Sequence, residues 1–162
     1  MRSVWNSEKW KSYDCFIDSH LRKGLIIRIQ KDVNDEVKLA CLDFAKWLRK
    51  KYEFPIRVPI YIRSAAKIRT NSGDYCSAKI FEPYEYCIEP YISIAVGNIE
   101  ERIRDSGRNN ALAGILGSMA HELTHYFQWI NRNKLTDKQA ERQANYYRAR
   151  ILSEYASIRE RP

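Results

Sequence analysis

The stretch Gly117-Ser118-Met119-Ala120-His121-Glu122-Leu123-Thr124-His125-Tyr126-Phe127 carries two of the chain's 3 histidines, one helical turn apart, with a glutamate directly after the first. In a helix that turns about 100° per residue, His121 and His125 project about 40° apart. Both imidazoles then reach one ion at about 2.0 Å, the distance at which zinc takes nitrogen ligands. Glu122 is offset far enough to miss the ion and approach a water held there, the position of a general base. Met119, Leu123, Thr124 and Tyr126 are uncharged and Phe127 is apolar, as a helix seated in a core requires. The competing reading is a pair of ordinary helical histidines, because this spacing also arises by chance in unrelated helices.

A catalytic zinc takes three protein ligands and keeps a fourth position open. His20, the remaining histidine, lies far upstream. Downstream, the polar turn Asn131-Arg132-Asn133-Lys134 is followed by Thr136-Asp137-Lys138-Gln139, a capping box that opens a last helix. At about 1.5 Å per residue the first helix advances ~9 Å from His125 to Asn131, and the returning helix ~7.5 Å from Thr136 to Glu141. Glu141 thus returns level with His125. Glu154 would overshoot by roughly 20 Å, and Asp137, in the first turn, suits a helix-dipole role. Glu141 is the expected third ligand, its competing reading being a partner for Lys138 or Arg142 on its own helix. Asn145, one turn on, is expected to steady His121 or the surroundings of Glu141. Tyr126, Tyr146 and Tyr147 are candidate donors to the oxygen of a transition state, and the sequence does not rank them.

These residues need elements to hold them. Leu112, Ile115, Leu116, Met119, Leu123, Phe127 and Ile130 form the apolar stripe of a helix that Asn109 or Asn110 can cap. Val37, Ala40, Cys41, Phe44, Trp47 and Leu48 recur at helical spacing from a cap at Asp32 or Asn34 until Pro55. Ile56, Val58, Ile60 and Ile62 alternate with Arg57, Pro59, Tyr61 and Arg63, a half-buried strand that Pro59 makes an edge or bulged one. Further strands are expected around residues 75–81 and 91–96, then a short helix capped by Asn98 with Glu101 and broken near Gly107. In the last helix, Ala140 and Ala144 permit close packing, while Tyr147, Ile151 and Tyr155 read as core. Residues 1–30, with Trp5, Trp10 and the run Leu25-Ile26-Ile27-Arg28-Ile29, read as an extension docked on a domain of residues 31–162. Helix, strands, then helices is the order of an α+β chain.

Composition agrees with a single globular domain: 162 residues, 44% hydrophobic and 30% charged, with 6 Gly and 5 Pro. No apolar run approaches the ~20 residues of a membrane span, and the start has no signal-like apolar core, so a cytoplasmic location without membrane contact is expected. The 4 cysteines form no C-x-x-C pair and read as reduced thiols, although Cys76 and Cys87 flank a strand-turn-strand and could face each other. A net charge of +8 favours polyanionic partners such as nucleic acid or an acidic substrate, but the basic residues are scattered.

His121-Glu122-Leu123-Thr124-His125 followed by Glu141-Arg142-Gln143-Ala144-Asn145-Tyr146-Tyr147 resembles the gluzincin metallopeptidases, most closely the small ImmA/IrrE-like proteins. The resemblance covers the last third of the chain closely and the preceding elements in outline. It implies a zincin-like fold, with a small antiparallel or mixed sheet packed on the motif helix and a C-terminal helix. It also implies zinc held by His121, His125 and Glu141, Glu122 as catalytic base, and a peptide or protein substrate. Tyr146-Tyr147-Arg148 depart from the family's usual second motif, and Asn145 stands where many gluzincins have Asp. The alternatives are a regulatory zincin that binds nucleic acid or a protein partner, and a SprT-like protease acting on DNA-bound proteins, whose third ligand is usually a histidine. Residues 1–30 could also act as a latency segment, with Cys15, Asp14 or His20 in the open zinc position.

Overall fold

Asn34 caps the first helix, its Oδ1 accepting from Glu36 N at 2.9 Å and Val37 N at 3.2 Å, which satisfies two donors that the first turn leaves free. Helix α1 (Asp35–Lys51) buries Val37, Cys41, Phe44, Ala45 and Leu48. Cys41 is enclosed there, and burial pushes its thiol up to about 12, so it is an inert packing group. The computed structural model describes residues 3–13, 23–85 and 88–159. Asp14, Cys15 and His20, invoked above for latency, and Cys87, the suggested partner of Cys76, lie outside the described residues.

The strands are β1 (Leu25–Ile29), β2 (Val58–Arg63), β3 (Ile68–Arg69), β4 (Tyr75–Cys76), β5 (Ala78–Phe81) and β6 (Tyr91–Ala95). Four of them form a mixed sheet in the order β1-β2-β6-β5, with β1, β2 and β6 parallel and β5 antiparallel to β6. β3 and β4 make a separate two-stranded hairpin, so the strand expected over residues 75–81 is split in two. β2 is an interior strand, contrary to the edge or bulge expected from Pro59. Val58 N donates to Gly24 O on the β1 side, which turns the next nitrogen, that of Pro59, toward β6, and the β6 ladder begins only at Ile60. The missing N–H of proline therefore breaks no ladder bond.

Three more helices follow among the described residues: α2 (Ile99–Ser106), α3 (Arg108–Ile130) and α4 (Asp137–Arg159). Asn98 occupies the α2 N-cap position without a side-chain capping bond. The cap of α3 is Gly107, at φ 88°, where only glycine sits without strain; the Asn109 or Asn110 cap is not formed, and Asn110 instead donates to Ser106 O from within the helix. Ile60, Ile62, Ile92 and Ile94 from the sheet meet Phe44 and Leu48 of α1 and Met119, Leu123 and Phe127 of α3 in one core. No helix of the described residues is long and apolar enough to cross a membrane.

The N-terminal residues belong to that core. Trp5, 2% exposed, packs its ring 4.9 Å from Tyr52 and 4.8 Å from Phe127 and donates from Nε1 to Thr124 Oγ1 at 3.0 Å. Trp10 N donates to Asn131 Oδ1 at 3.2 Å, and β1 pairs along its length with β2. The core therefore runs continuously across residue 30, so residues 3–13 and 25–29 are structural parts of the domain.

α4 is tied to α1 through Glu154, which accepts from Lys51 Nζ at 2.8 Å and Tyr52 OH at 3.2 Å. Partial burial pushes the Glu154 carboxyl up, but the hydrogen bonds from Lys51 and Tyr52 and the Lys51 charge outweigh it and hold the group below the usual carboxylate range. A depressed folded value means stability present above the unfolded carboxylate value of about 4.3 and lost as pH falls through the lower folded one. Glu154→Gln is expected to cost about 0.5–1 kcal/mol at neutral pH and to flatten the loss of stability below about pH 4.5, both read from urea unfolding across pH 3–7. Trp5→Ala should lower the unfolding free energy by about 3–5 kcal/mol. A midpoint unchanged by that substitution would show the N-terminal residues to be dispensable to the core.

Candidate metal centre

α3 carries the histidine pair through the middle of the molecule, against α1, β5 and β6. Met119, Leu123, Thr124, Tyr126 and Phe127, the residues around the pair, are all buried. His121 and His125 therefore emerge from an anchored face, their ring centroids 5.0 Å apart and their planes at 77°.

The return to α4 is held by one polar side chain sealed in the core and by an exposed capping box. Asn131 is fully buried; its Nδ2 donates to Phe127 O at 2.8 Å and its Oδ1 accepts from Trp10 N. Arg132 follows at φ 52°. The capping box then forms reciprocally, Gln139 N donating to Thr136 Oγ1 at 3.1 Å and Thr136 N to Gln139 Oε1 at 2.9 Å. Where α4 passes α3, the Arg148 guanidinium lies against Gly117, 2.7 Å from where a Cβ would stand. Arg148 also donates to Gly114 O at 3.4 Å.

This return sets Glu141 opposite both rings. His125 Nε2 lies 2.8 Å from Glu141 Oε1 and His121 Nε2 lies 3.2 Å from Oε2. One donor atom from each of the three residues falls within 4.8 Å of the others. The two short contacts approach the ~3.3 Å edge of a tetrahedron with ligand bonds of about 2.0 Å. Glu141 is 58% exposed, so one side of the group opens to solvent while the imidazoles are largely enclosed.

The hydrogen bonds of His125 show how well the donor set suits a cation. Gln128 donates from Nε2 to Ala140 O at 3.1 Å and to Gln143 Oε1 at 2.8 Å, which leaves its Oε1 to face His125 Nδ1 at 2.8 Å. Nδ1 therefore donates to Gln128, and Nε2 is the ring atom that faces the Glu141 carboxylate. Two acceptors that close repel unless a positive charge stands between them or on the ring. For His121, burial pushes the ring toward its neutral form, with the His125 and Arg148 charges acting in the same sense and Glu141 opposing. The exposed Asn145 amide lies close enough to favour the charged ring, yet no well-formed bond joins the two, and His121 Nδ1 stays buried without a hydrogen-bond partner. A zinc ion binds imidazole in its neutral form, the form that burial favours at His121.

Glu122 sits beside this group at the wall of a cleft of about 650 Å³ that His125, Glu141, Glu82 and Asp137 also line. Burial pushes its carboxyl up to about 7, His125 opposes, and Glu141 and Glu82 reinforce the rise. Glu82 is raised too, by desolvation against the cleft wall with His125 opposing, although it keeps a solvent-exposed flank. A divalent ion nearby would pull both carboxyls back down.

The three tyrosines do not line this cleft. The Tyr126 hydroxyl is fully buried and donates to Ile56 O while accepting from Ile56 N at 3.0 Å. Tyr146 is exposed and accepts from Arg150 at 3.1 Å; with Tyr147 it borders a separate groove beside Leu135 and Gln143. Sequence reading missed Gln128 and Glu82. Gln128 stands three residues after His125 on the same helix face, a spacing that marks it, whereas Glu82 carries no local signal and reaches the cleft only through β5. No family model, curated protein or solved structure matches this chain.

Gln128→Leu, which keeps the volume but removes the fixed acceptor, is expected to weaken zinc binding by about 10–100-fold, read by competition with a chromophoric chelator. Asn145→Ala should change that affinity far less, given its exposure and the lack of a formed bond. The reverse ranking would overturn the roles given to these two residues.

Proposed function

We propose that the chain is a zinc-dependent metallopeptidase of the gluzincin type, with a zincin-like arrangement of sheet, motif helix and C-terminal helix. One observation carries the reading: two imidazole Nε2 atoms from α3 converge on the two oxygens of Glu141 from α4, beside the enclosed carboxyl of Glu122 in an open cleft. His121, His125 and Glu141 would hold the ion.

When bound, zinc supplies Lewis-acid polarisation of a water and of the scissile carbonyl. Glu122, enclosed at the cleft wall beside the three ligand residues, accepts the proton as the water attacks and delivers it to the leaving amine. Gln128 keeps the His125 ring aligned by accepting from Nδ1. β5 is an outer strand of the sheet and borders the cleft through Ala78, Lys79 and Ile80. An extended peptide can add along that edge by main-chain hydrogen bonds, which hold its carbonyl in line without regard to side chains. The hydroxyl of Tyr126 is committed to Ile56, so the donor to the carbonyl oxygen comes from another group.

Glu122→Gln should retain zinc, measured by elemental analysis, while hydrolysis of an unfolded protein or a peptide library falls by at least about 100-fold. Glu141→Ala should lose both metal and activity. Cleavage by Glu122→Gln at the parent rate would refute the assignment.

A further inference from the structure

The face of the sheet turned away from the helices carries side chains that neither the core nor the cleft chemistry explains. Ile60, Ile62, Ile92 and Ile94 point into the core, so by strand alternation Tyr61, Tyr91 and Phe81 stand on the opposite face of β2, β6 and β5. They form a continuous row across three neighbouring strands, with ring centroids 5.9 Å apart for Tyr61 and Tyr91 and 5.2 Å for the stacked pair Phe81 and Tyr91. The Arg63 guanidinium extends the row, 5.2 Å over the Tyr61 ring, and donates to Ser93 at 3.2 Å. Phe81, stacked on Tyr91 along one side, is still 44% exposed among the described residues, an unusual exposure for a phenylalanine.

Charge narrows what can cover this row. No described strand residue on this face is acidic, whereas Arg28, Arg63 and Lys79 are basic by register. Arg57 and Glu89 at the margin neutralise one another at 2.7 Å. The whole chain carries +8. A second copy of the chain would bring the same basic face and be repelled. A duplex offers phosphates but keeps its base faces stacked inside, while a single strand offers both phosphates and free ring faces.

We propose that the open face of the sheet binds single-stranded nucleic acid, its bases stacking on Tyr61, Tyr91 and Phe81 and its phosphates meeting Arg28, Arg63 and Lys79. The binding is largely sequence-tolerant, because every base has a ring face and the described groups read no base edge. The three rings, Arg28 and Arg63 lie outside the cleft lining, whereas Lys79 borders the cleft as well and donates to Arg69 O at 3.1 Å, so the binding rests chiefly on the rings and the two arginines.

The test is fluorescence polarisation with the full chain, using labelled 15-nucleotide oligo(dT) and oligo(U) and a duplex of equal length over a range of salt. Single strands should bind more tightly than duplex. Phe81→Ala should weaken them by about 5- to 100-fold, and Phe81→Trp, which keeps a stacking surface, should restore binding. Arg28→Gln, at an exposed edge position, should lower the slope of log affinity against log salt by about 0.7, as one phosphate contact on a single strand requires. Lys46→Gln on α1, across the molecule, should leave that slope unchanged. Equal binding to duplex with no effect of Phe81→Ala would reduce the interaction to diffuse charge and overturn the proposal. So would absence of binding, or a dimer in mass photometry that Phe81→Ala dissociates while oligonucleotide affinity stays the same.

Discussion

The carboxylate of Glu141 faces two imidazole nitrogens at 2.8 and 3.2 Å, and that contact demands a fixed axial register between two antiparallel helices. A helix advances about 1.5 Å per residue, so a slip of one residue in the connecting turn would carry the carboxylate out of reach. The register is guarded at both ends. Asn131 is sealed in the core at the turn, and the capping box of Thr136 and Gln139 sets where α4 starts. Farther along, Gly117 admits Arg148 against α3, holding the helices together beyond the histidines.

Around that contact the protein concentrates carboxyl groups, with Glu122 the buried one among them. Glu82, Glu122 and Glu141 crowd one cleft wall, and each burial or like charge drives Glu122 toward its protonated form. Crowded carboxylates are poorly stable by themselves and well suited to a divalent charge. The same logic separates the two faces of the sheet. Its inner face is aliphatic and closed by helices, while its outer face pairs aromatic rings with cations and, among the described residues, has no acidic strand residue to oppose them.

Local rules made much of this readable. The α+β order, the cap at Asn34, the capping box at Thr136 and the level of Glu141 follow from side-chain periodicity and rise per residue, properties of adjacent residues. What escaped depends on partners distant in sequence. Pro59 marks an edge only if its nitrogen must donate, and the neighbour decides that by where its own ladder begins. Tyr126 looks like a candidate donor from its place beside His125, but helix rotation turns it inward to Ile56. The start of α3 was set by glycine's access to positive φ, outweighing the asparagines that followed. Residues 3–13 offered tryptophans without periodicity, and only the packed structure shows Trp5 meeting Thr124 and Phe127.

The bond from Trp5 to Thr124 joins residues 119 positions apart. A core closed by so remote a pair cannot be completed while the chain is still short during synthesis; the indole must wait, solvated or loosely clustered, until the motif helix has left the ribosome. The helix that supplies both histidines is also the wall against which Trp5 must dock. The cleft thus takes shape only as the whole domain does, and a nascent fragment has no half-built version of it.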